Sequence, residues 1–202
     1  MPASPTFYTT VGKRLFDGLA AGVGLILLSP LLCLIALRIK ISSPGPVLFR
    51  QIRMGRFGKP FTLYKFRSMV VDNKGLGVTQ ENDPRITPIG KWLRATKADE
   101  LPQLWNVLVG DMSLVGPRPE LERYTQTHAV AYAKVLTVRP GITDNAAIAF
   151  RNEEALLATY PDTEKAYIEI ILPQKINLYL DYIQQVSFKT DLALIFKTLL
   201  KL

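Results

Sequence analysis

The longest hydrophobic stretch of the chain is a run without charged residues from Gly18 to Leu37. Its length matches the roughly 20 residues that one helix needs to cross the hydrocarbon core of a bilayer. Ser29-Pro30 lies near its middle, and a proline there removes a helical hydrogen bond and clashes with the preceding turn. No small-residue cleavage pattern follows, so the run is not a signal peptide. The pattern predicts an anchor over residues 1–41, with a membrane helix broken at Ser29-Pro30.

Cations flank this run on both sides, with Lys13 and Arg14 before it and Arg38 and Lys40 after it. A single span normally shows an excess of Lys and Arg on one side only. A helix that enters the membrane, bends and returns would keep all four cations on one side. A kinked transmembrane helix is the other interpretation, and the pattern leaves both open.

Residues 42–202 have the pattern of a separate catalytic or binding domain, mostly helical with a few short strands, so the predicted fold class is α+β. Apolar residues predict strands at 47–49 and 61–66, separated by the basic segment 51–60. Residues 72–88 are polar and predict a loop, and 115–119 predicts a rigid extended loop. Helical spacing predicts the remaining elements at 89–96, from Asp99 onward, at 121–136, at 153–159, and at 164–186 with a break at Pro173.

The segment from Lys189 to Leu202 is a further amphipathic helix. Lys197 and Lys201 lie four residues apart, on a face opposite a broad surface of Leu, Ile and Phe. Such a helix is able to lie in the membrane interface. Packing of the same apolar surface on the core of the domain is the alternative, and both remain open.

The net charge of +8 is unevenly distributed over the 202 residues. Residues 1–97 contain 15 Lys or Arg and only 4 Asp or Glu. A basic segment beside an anchor attracts anionic lipids and also polyanionic ligands such as nucleotides or prenyl phosphates. Nucleic acid is disfavoured as a partner, because no stacking platform or nucleic-acid-binding motif is present. The lone Cys33 excludes an intrachain disulfide, which agrees with a reducing compartment.

The pair Asp99-Glu100 is the main candidate for chemistry. Adjacent helical residues point about 100° apart, so the two carboxylates cannot face each other across a substrate. Asp99 is predicted to be a helix N-cap, with Pro102 in the first turn and the helix dipole keeping the pKa of Asp99 low. An exposed, ionised Asp is a competent nucleophile toward phosphorus. A plain capping role is the alternative.

Four cations are predicted to accompany this pair. Arg94 lies five residues before Asp99, and Arg118 lies in a Gly-Pro-Arg-Pro loop, so both are able to reach a phosphate cluster. Lys65 and Arg67 alternate with aromatic residues and are predicted to share one strand face. Arginine suits bidentate capture of phosphate, and lysine acts as a point charge.

Several long motifs follow one another in a specific order. They are KRLFD at 13–17, Ser29-Pro30, PVLFRQ at 46–51, FTLYKFRSM at 61–69, DELPQLWNV at 99–107, GDMSLVGPRP at 110–119, RPGIT at 139–143, and Ser187-Phe188 with Asp191. In these motifs the chain resembles the monotopic phosphoglycosyl transferases, bacterial sugar transferases that start glycoconjugate assembly on polyprenol phosphate. The resemblance covers nearly the whole chain and is to the minimal form, which lacks the additional N-terminal transmembrane domain of larger members.

The resemblance implies a re-entrant membrane helix and a location on the cytoplasmic face of the bacterial inner membrane. It implies that Asp99 and Glu100 form a catalytic dyad that also binds Mg²⁺. Asp99 would attack the β-phosphorus of a UDP-sugar, release UMP and hold the phosphosugar until polyprenol phosphate displaces it. The predicted substrate-binding residues are Lys65, Arg67, Arg94, Arg118 and Pro119.

One segment departs from the family pattern, at residues 144–151. The chain reads DNAAIAFR where many members read GWAQVNGR. This region is one that can shape the sugar pocket, so the donor sugar stays open. The single His128 is predicted to be a surface or packing residue. A non-enzymatic, basic membrane-surface adaptor that binds anionic lipid or a partner protein is the alternative function.

Overall fold

The computed structural model describes residues 6–71 and 83–200. Within them the chain is mostly helical with two small sheets, in agreement with the predicted class. The helices are α1 (Lys13–Ser42), α2 (Pro88–Ala95), α3 (Gln103–Val109), α4 (Glu122–Thr127), α5 (Ala129–Val135), α6 (Asn145–Ala149), α7 (Glu153–Leu157), α8 (Thr163–Ala166), α9 (Leu172–Gln184) and α10 (Phe188–Leu200). The strands are β1 (Leu48–Met54), β2 (Pro60–Phe66), β3 (Ser113–Val115) and β4 (Gly141–Thr143).

Helix α1 continues through Ser29-Pro30, where the sequence predicted a break. Pro30 has no N–H to donate to the carbonyl of Ile26, four residues earlier. The hydroxyl of Ser29 donates to that carbonyl instead, at 2.8 Å. The adjacent serine therefore satisfies the acceptor that the proline leaves open, and the helical hydrogen-bonding pattern is maintained.

Both arms of α1 pack against the rest of the protein. Before Pro30, Ala21 joins a buried cluster with Phe61 and Val107. After Pro30, Ile35 and Ile39 are buried in another cluster. The opposite face is apolar and exposed at Leu15, Leu19, Val23, Ile26, Leu27, Leu34, Leu37 and Ile41. By length and composition the helical stretch from Tyr8 to Ser42 is able to cross a membrane.

Strands β1 and β2 form an antiparallel hairpin in which Leu48 pairs with Phe66 and Met54 with Pro60. The two predicted strands are confirmed, but β1 extends through residues 51–54, which the sequence assigned to the basic connection. Arg50 is exposed in this strand and Arg53 only partly buried, so their charges do not prevent pairing.

The buried side chain of Asn106 joins α3 to the free edge of β2. Its amide donates to the carbonyl of Thr62 at 2.7 Å, and its oxygen accepts from the backbone N–H of Tyr64 at 3.2 Å. One side chain thus replaces a neighbouring strand. Gly110, with φ of +100°, then ends α3 in the left-handed conformation that favours glycine.

Strands β3 and β4 are parallel, with Ser113 opposite Gly141 and Val115 opposite Thr143. A Cβ atom on Gly141 would lie 2.1 Å from the backbone nitrogen of Gly116, so this contact requires glycine. The predicted helix at 121–136 is divided into α4 and α5 at His128. The ring nitrogen Nε2 of His128 lies 3.1 Å from the carbonyl of Ile168, which agrees with the predicted packing role.

The predicted break at Pro173 is absent. A single π-helical turn, Tyr167–Ile171, joins α8 to α9, and Pro173 falls in the first turn of α9. The wider turn lets the chain continue although Pro173 has no N–H to donate. Of the predicted loop at 72–88, residues 72–82 lie outside the described residues, and Thr87 caps α2 through the backbone N–H of Gly90.

Helix α10 has one packed face and one exposed face. Leu194 is buried, whereas Phe196, Leu199 and Leu200 are exposed. The buried carboxylate of Asp191 joins this helix to the start of the chain, since it accepts from the hydroxyls of Tyr8 and Tyr182 and from the ammonium of Lys13.

Candidate active site

The dyad lies in a tight turn between α2 and α3. Lys97, with φ of +56°, reverses the chain after α2, and a 3₁₀ turn then spans Ala98–Glu100. Pro102 occupies the N-cap position of α3, and its first helical residue is Gln103. The prediction that Asp99 caps this helix is therefore wrong: the left-handed residue places the dyad one turn before the helix begins.

Asp99 is buried, which also contradicts the expected exposure. The residue is only 7% exposed, and its Oδ1 atom has no hydrogen-bond partner among the residues that the structure describes. Burial raises the pKa of Asp99 above the ordinary value; Lys65 opposes this change and Glu100 adds to it. The expected low pKa is wrong, because desolvation of the carboxylate outweighs the neighbouring positive charges.

Glu100 is held by two cations. Its Oε1 atom accepts from Nζ of Lys65 at 2.8 Å and from Nη2 of Arg118 at 2.6 Å. Burial alone would raise the pKa of Glu100, but the two cations outweigh it and hold this pKa well below the usual range. The adjacent carboxyls thus differ: Glu100 is firmly ionised, and Asp99 is the more basic of the two.

The structure brings together part of the predicted substrate-binding set. Arg94 lies close enough to lower the pKa of Asp99, and its guanidinium pairs with Glu154 of α7. Arg67 lies apart from the dyad, because its guanidinium binds the carbonyls of Ser43 and Pro44 after α1. Pro119 is buried, and its carbonyl accepts from Arg53 at 3.2 Å. Arg67 and Pro119 therefore occupy structural positions here.

A cavity of about 700 Å³ opens beside the dyad. This volume lies within the range of about 300–1,000 Å³ typical of small-molecule sites. Glu100 and Arg118 line the cavity, and Asp99 does not. Apolar side chains form most of the remaining wall, including Leu28 and Leu31 of α1. The cavity thus connects charged groups at the dyad with the apolar helix.

Several charged residues of the cavity region were missed by the sequence-based predictions. Glu153 and Lys175 both line the cavity and form an ion pair at 2.9 Å. Asp144 is buried nearby and caps α6 by accepting from the backbone N–H of Ala147. Glu153 and Lys175 lie 22 residues apart, and no local spacing brings them together. Asn106 was also missed, although a polar residue beside an apolar helical stripe could have indicated a buried side chain with hydrogen-bond partners.

Two carboxylates are available for a metal ion at this site. Among residues 6–71 and 83–200, no group of three His, Cys, Asp or Glu side chains gathers at one point. Mg²⁺ is, however, commonly held by one or two carboxylates together with substrate phosphates. The unpartnered Oδ1 of Asp99 next to the ionised Glu100 fits such a donor set.

Comparison with known proteins identifies the family. Residues 8–202 match the family described as bacterial sugar transferase. The chain belongs to this family. It is 44% identical over 196 residues to a UDP-glucose:undecaprenyl-phosphate glucose-1-phosphate transferase of Escherichia coli, covering 94% of this chain and 39% of that protein. A Caulobacter vibrioides protein of the same name is 40% identical, covering 96% of this chain and 70% of its own length.

Another relative of this bacterial sugar transferase has a different sugar in its name. A UDP-N-acetylgalactosamine-undecaprenyl-phosphate N-acetylgalactosaminephosphotransferase of Aeromonas hydrophila is 38% identical, covering 93% of this chain and 42% of that protein. The chain spans about two fifths of the length of the Escherichia coli and Aeromonas proteins. The relatives therefore agree on a sugar phosphate and an undecaprenyl-phosphate acceptor, and they differ in the sugar.

Proposed function

We propose that this protein transfers a phosphosugar from a UDP-sugar to polyprenol phosphate, giving a polyprenyl-diphospho-sugar and UMP. One observation carries the proposal: a buried Asp99 with an unpartnered oxygen lies beside Glu100, which two cations hold ionised at the wall of a cavity. The names of the relatives support the same reaction class.

The proposed chemistry consists of two displacements at one phosphorus atom. A carboxylate oxygen of Asp99 attacks the β-phosphorus of the UDP-sugar, and the bond to the bridging oxygen breaks and releases UMP. A phosphate oxygen of polyprenol phosphate then attacks the same phosphorus and frees Asp99. The raised pKa of Asp99 makes its carboxylate the stronger nucleophile of the dyad. Asp99 adjoins Glu100, which lines the cavity, so the proposed nucleophile lies next to the wall that faces the donor.

The cations around Glu100 balance the charge of the donor. Lys65 and Arg118 share one carboxylate oxygen, so the three groups together retain a positive charge beside the cavity. That charge favours a diphosphate over a neutral sugar. Mg²⁺ is proposed to be held by Asp99, Glu100 and the phosphates of the substrate, where it would neutralise charge that develops on the diphosphate.

The membrane arrangement belongs to the same proposal. Both arms of α1 pack on the domain that carries the dyad, through Ala21 before Pro30 and Ile39 after it. A single span would draw one of these packed surfaces through the hydrocarbon core. We therefore place both ends of α1 on the cytoplasmic side of the bacterial inner membrane. Leu28 and Leu31 in the cavity wall would then lie where an isoprenoid chain arrives.

The decisive experiment is the donor half-reaction. Purified protein is incubated with Mg²⁺ and a panel of labelled UDP-sugars, without polyprenol phosphate. We expect UMP release up to one equivalent of enzyme and label on the peptide that contains Asp99, identified at residue level by fragmentation. Added polyprenol phosphate should discharge the label.

Two other results would contradict parts of the proposal. UMP release only when both substrates are present would overturn the covalent role of Asp99 and leave the reaction class. Absence of UMP with every donor, even with polyprenol phosphate, would favour the membrane-surface adaptor that binds anionic lipid. The donor that reacts also identifies the sugar, on which the relatives differ.

A further inference from the structure

The cavity contains a second charged group besides the cluster at the dyad. Glu153 of α7 and Lys175 of α9 both line it, and Nζ of Lys175 lies 2.9 Å from Oε2 of Glu153. Neither residue contacts Asp99 or Glu100 directly. The pair therefore has no part in the chemistry proposed above, although it faces the same space.

The ammonium of Lys175 is fixed in place by its surroundings. The side chain is only 4% exposed, and Nζ also donates to the hydroxyl of Tyr167 at 3.3 Å and lies 3.6 Å from Oε1 of Glu120. Tyr167 in turn donates to Glu120 at 2.6 Å. Glu153 is more accessible, with 27% of its side chain exposed. A rigid ammonium thus orients a carboxylate that a ligand is able to reach.

The charges of this second group cancel. Glu120 pairs with Arg53 as well as with Lys175, and Glu153 pairs with Lys175, so two cations face two carboxylates. A neutral group has little attraction for a phosphate, unlike the cluster at Glu100. It nevertheless presents charged hydrogen-bond donors and acceptors side by side, which is the combination that a polyhydroxylated ligand requires.

The position of the pair matches one part of the donor. Glu153 raises the pKa of Arg118, and Arg118 binds Glu100, so one residue separates the pair from the dyad. In a UDP-sugar, the sugar is bonded directly to the phosphoryl group that the dyad receives. The uracil is separated from that group by another phosphate and a ribose, and an isoprenoid chain has no hydroxyl. Small side chains, Ala146 and Ala147, line the same cavity and leave room for a ring.

We infer that the Glu153–Lys175 pair recognises the hydroxyl groups of the donor sugar and determines which UDP-sugar reacts. The inference rests on the proposed function. Glu153 accepts hydrogen bonds from the sugar, while Lys175, which is held by Tyr167 and Glu120, keeps Glu153 in position. A sugar whose hydroxyl points away from this carboxylate displaces water from Glu153 without supplying a hydrogen bond in return, and it therefore reacts more slowly.

The test compares Glu153→Gln with the wild type on four donors, which are UDP-glucose, UDP-galactose, UDP-N-acetylglucosamine and UDP-N-acetylgalactosamine. We measure kcat/KM for UMP release in the presence of polyprenol phosphate, and separately the Kd of UMP by calorimetry. The variant should lose about 10- to 100-fold in kcat/KM on the preferred donor and much less on the others, so the ratio between donors narrows. The Kd of UMP should not change.

Two further variants keep the test interpretable. Glu153→Asp retains the charge and shortens the side chain, and it should give an intermediate ratio even if Glu153→Gln folds poorly. Glu169→Gln makes the same charge change at an exposed position of the π-helical turn. This control should leave the ratio of kcat/KM between the donors as it is in the wild type.

The outcomes separate the inference from the proposed function. An equal loss on all donors, or weaker binding of UMP, would overturn the role in sugar recognition and leave the transferase reaction intact. A wild type that releases no UMP from any donor would overturn the proposed function and, with it, the inference.

Discussion

The two adjacent carboxyls show how burial and charge separate residues of the same chemical type. Asp99 is enclosed with one oxygen unpartnered, whereas Glu100 accepts from Lys65 and Arg118. Their pKa values therefore move in opposite directions from the ordinary range. In the proposed reaction, Asp99, the more basic carboxyl, attacks phosphorus. The ionised Glu100 holds Lys65 and Arg118 in position.

The first prediction concerns Asp99→Asn. The amide removes the nucleophile, so kcat should fall by about 10³-fold or more. The folded protein should be as stable as the wild type or slightly more stable, because a buried carboxyl with a raised pKa disfavours folding when it is ionised. UMP release and the thermal midpoint in detergent give the two readings. Asp181→Asn, at an exposed site of α9, is the control.

The capping residue Asp144 gives a prediction of pH dependence. Burial raises the pKa of Asp144 to about 6, against 3.8 for the ordinary group, with Ala147 and Lys175 opposing the change. A raised pKa means that its contribution to stability is complete below about pH 4 and is lost as the pH rises through about 6. Asp144→Asn keeps the capping oxygen and should stabilise the protein at pH 8 by up to about 3 kcal/mol.

The measurement for Asp144 is the difference in free energy of unfolding between variant and wild type, at pH 4 and pH 8. The difference should grow with pH; a difference that is constant or reversed would contradict the burial of a titrating carboxyl. Asp162→Asn is a matched control, because Asp162 caps α8 in the same way at an exposed position.

At the scale of elements, Asn106 fixes the position of β2 relative to α3, and with it the position of Lys65 beside Glu100. The side chain binds both the carbonyl of Thr62 and the N–H of Tyr64, the residue before Lys65. Asn106→Ala should cost about 2–4 kcal/mol in the free energy of unfolding, because two backbone groups lose their partner. UMP release should fall even in the fraction that remains folded. Val109→Ala, on an exposed part of α3, should change neither quantity appreciably.

Helices and strands with strong hydrophobic periodicity were predicted correctly from the sequence. The predictions failed where one side-chain hydrogen bond or one unusual backbone conformation determines the local structure. The short helix before the dyad and both strands of the hairpin were found. The expected break at Ser29-Pro30 was wrong because the Ser29 hydroxyl supplies the bond that Pro30 cannot make. The prediction that Asp99 is an N-cap was wrong because Lys97 adopts the left-handed conformation and α3 begins only after the following turn. Lysine has no preference for that conformation, so nothing in the sequence indicated it.

The residues of the candidate site that lie in sequence motifs could be predicted. Those that come together only through the packing of distant helices could not. Asp99, Glu100, Lys65 and Arg118 come together as expected. Arg67 shares the motif of Lys65 but binds the segment after α1. The Glu153–Lys175 pair joins α7 to α9, and only the packed structure brings its members together.

At the scale of the whole molecule, the arrangement of α1 gives a prediction of topology. Thr9→Cys and Lys59→Cys lie on either side of the apolar helix at exposed positions, and Cys33→Ser removes the native thiol. Because both arms of α1 pack on one domain, both new cysteines should resist an impermeant thiol reagent in spheroplasts and react after lysis. Labelling of only one cysteine before lysis would show that the helix crosses the membrane once.

The position of Asp191 imposes an order of events during synthesis. Its buried carboxylate binds Lys13, a residue made 178 positions earlier. At about 5–20 residues per second, roughly 10–35 s pass between the two. During that time the counter-charges within reach of Lys13 are Asp17, one helical turn later in α1, and the anionic headgroups that a basic segment attracts at a bilayer surface. The ion pair that joins the first helix to the last one is therefore among the latest contacts to form, and α10 completes the site at which α1 begins.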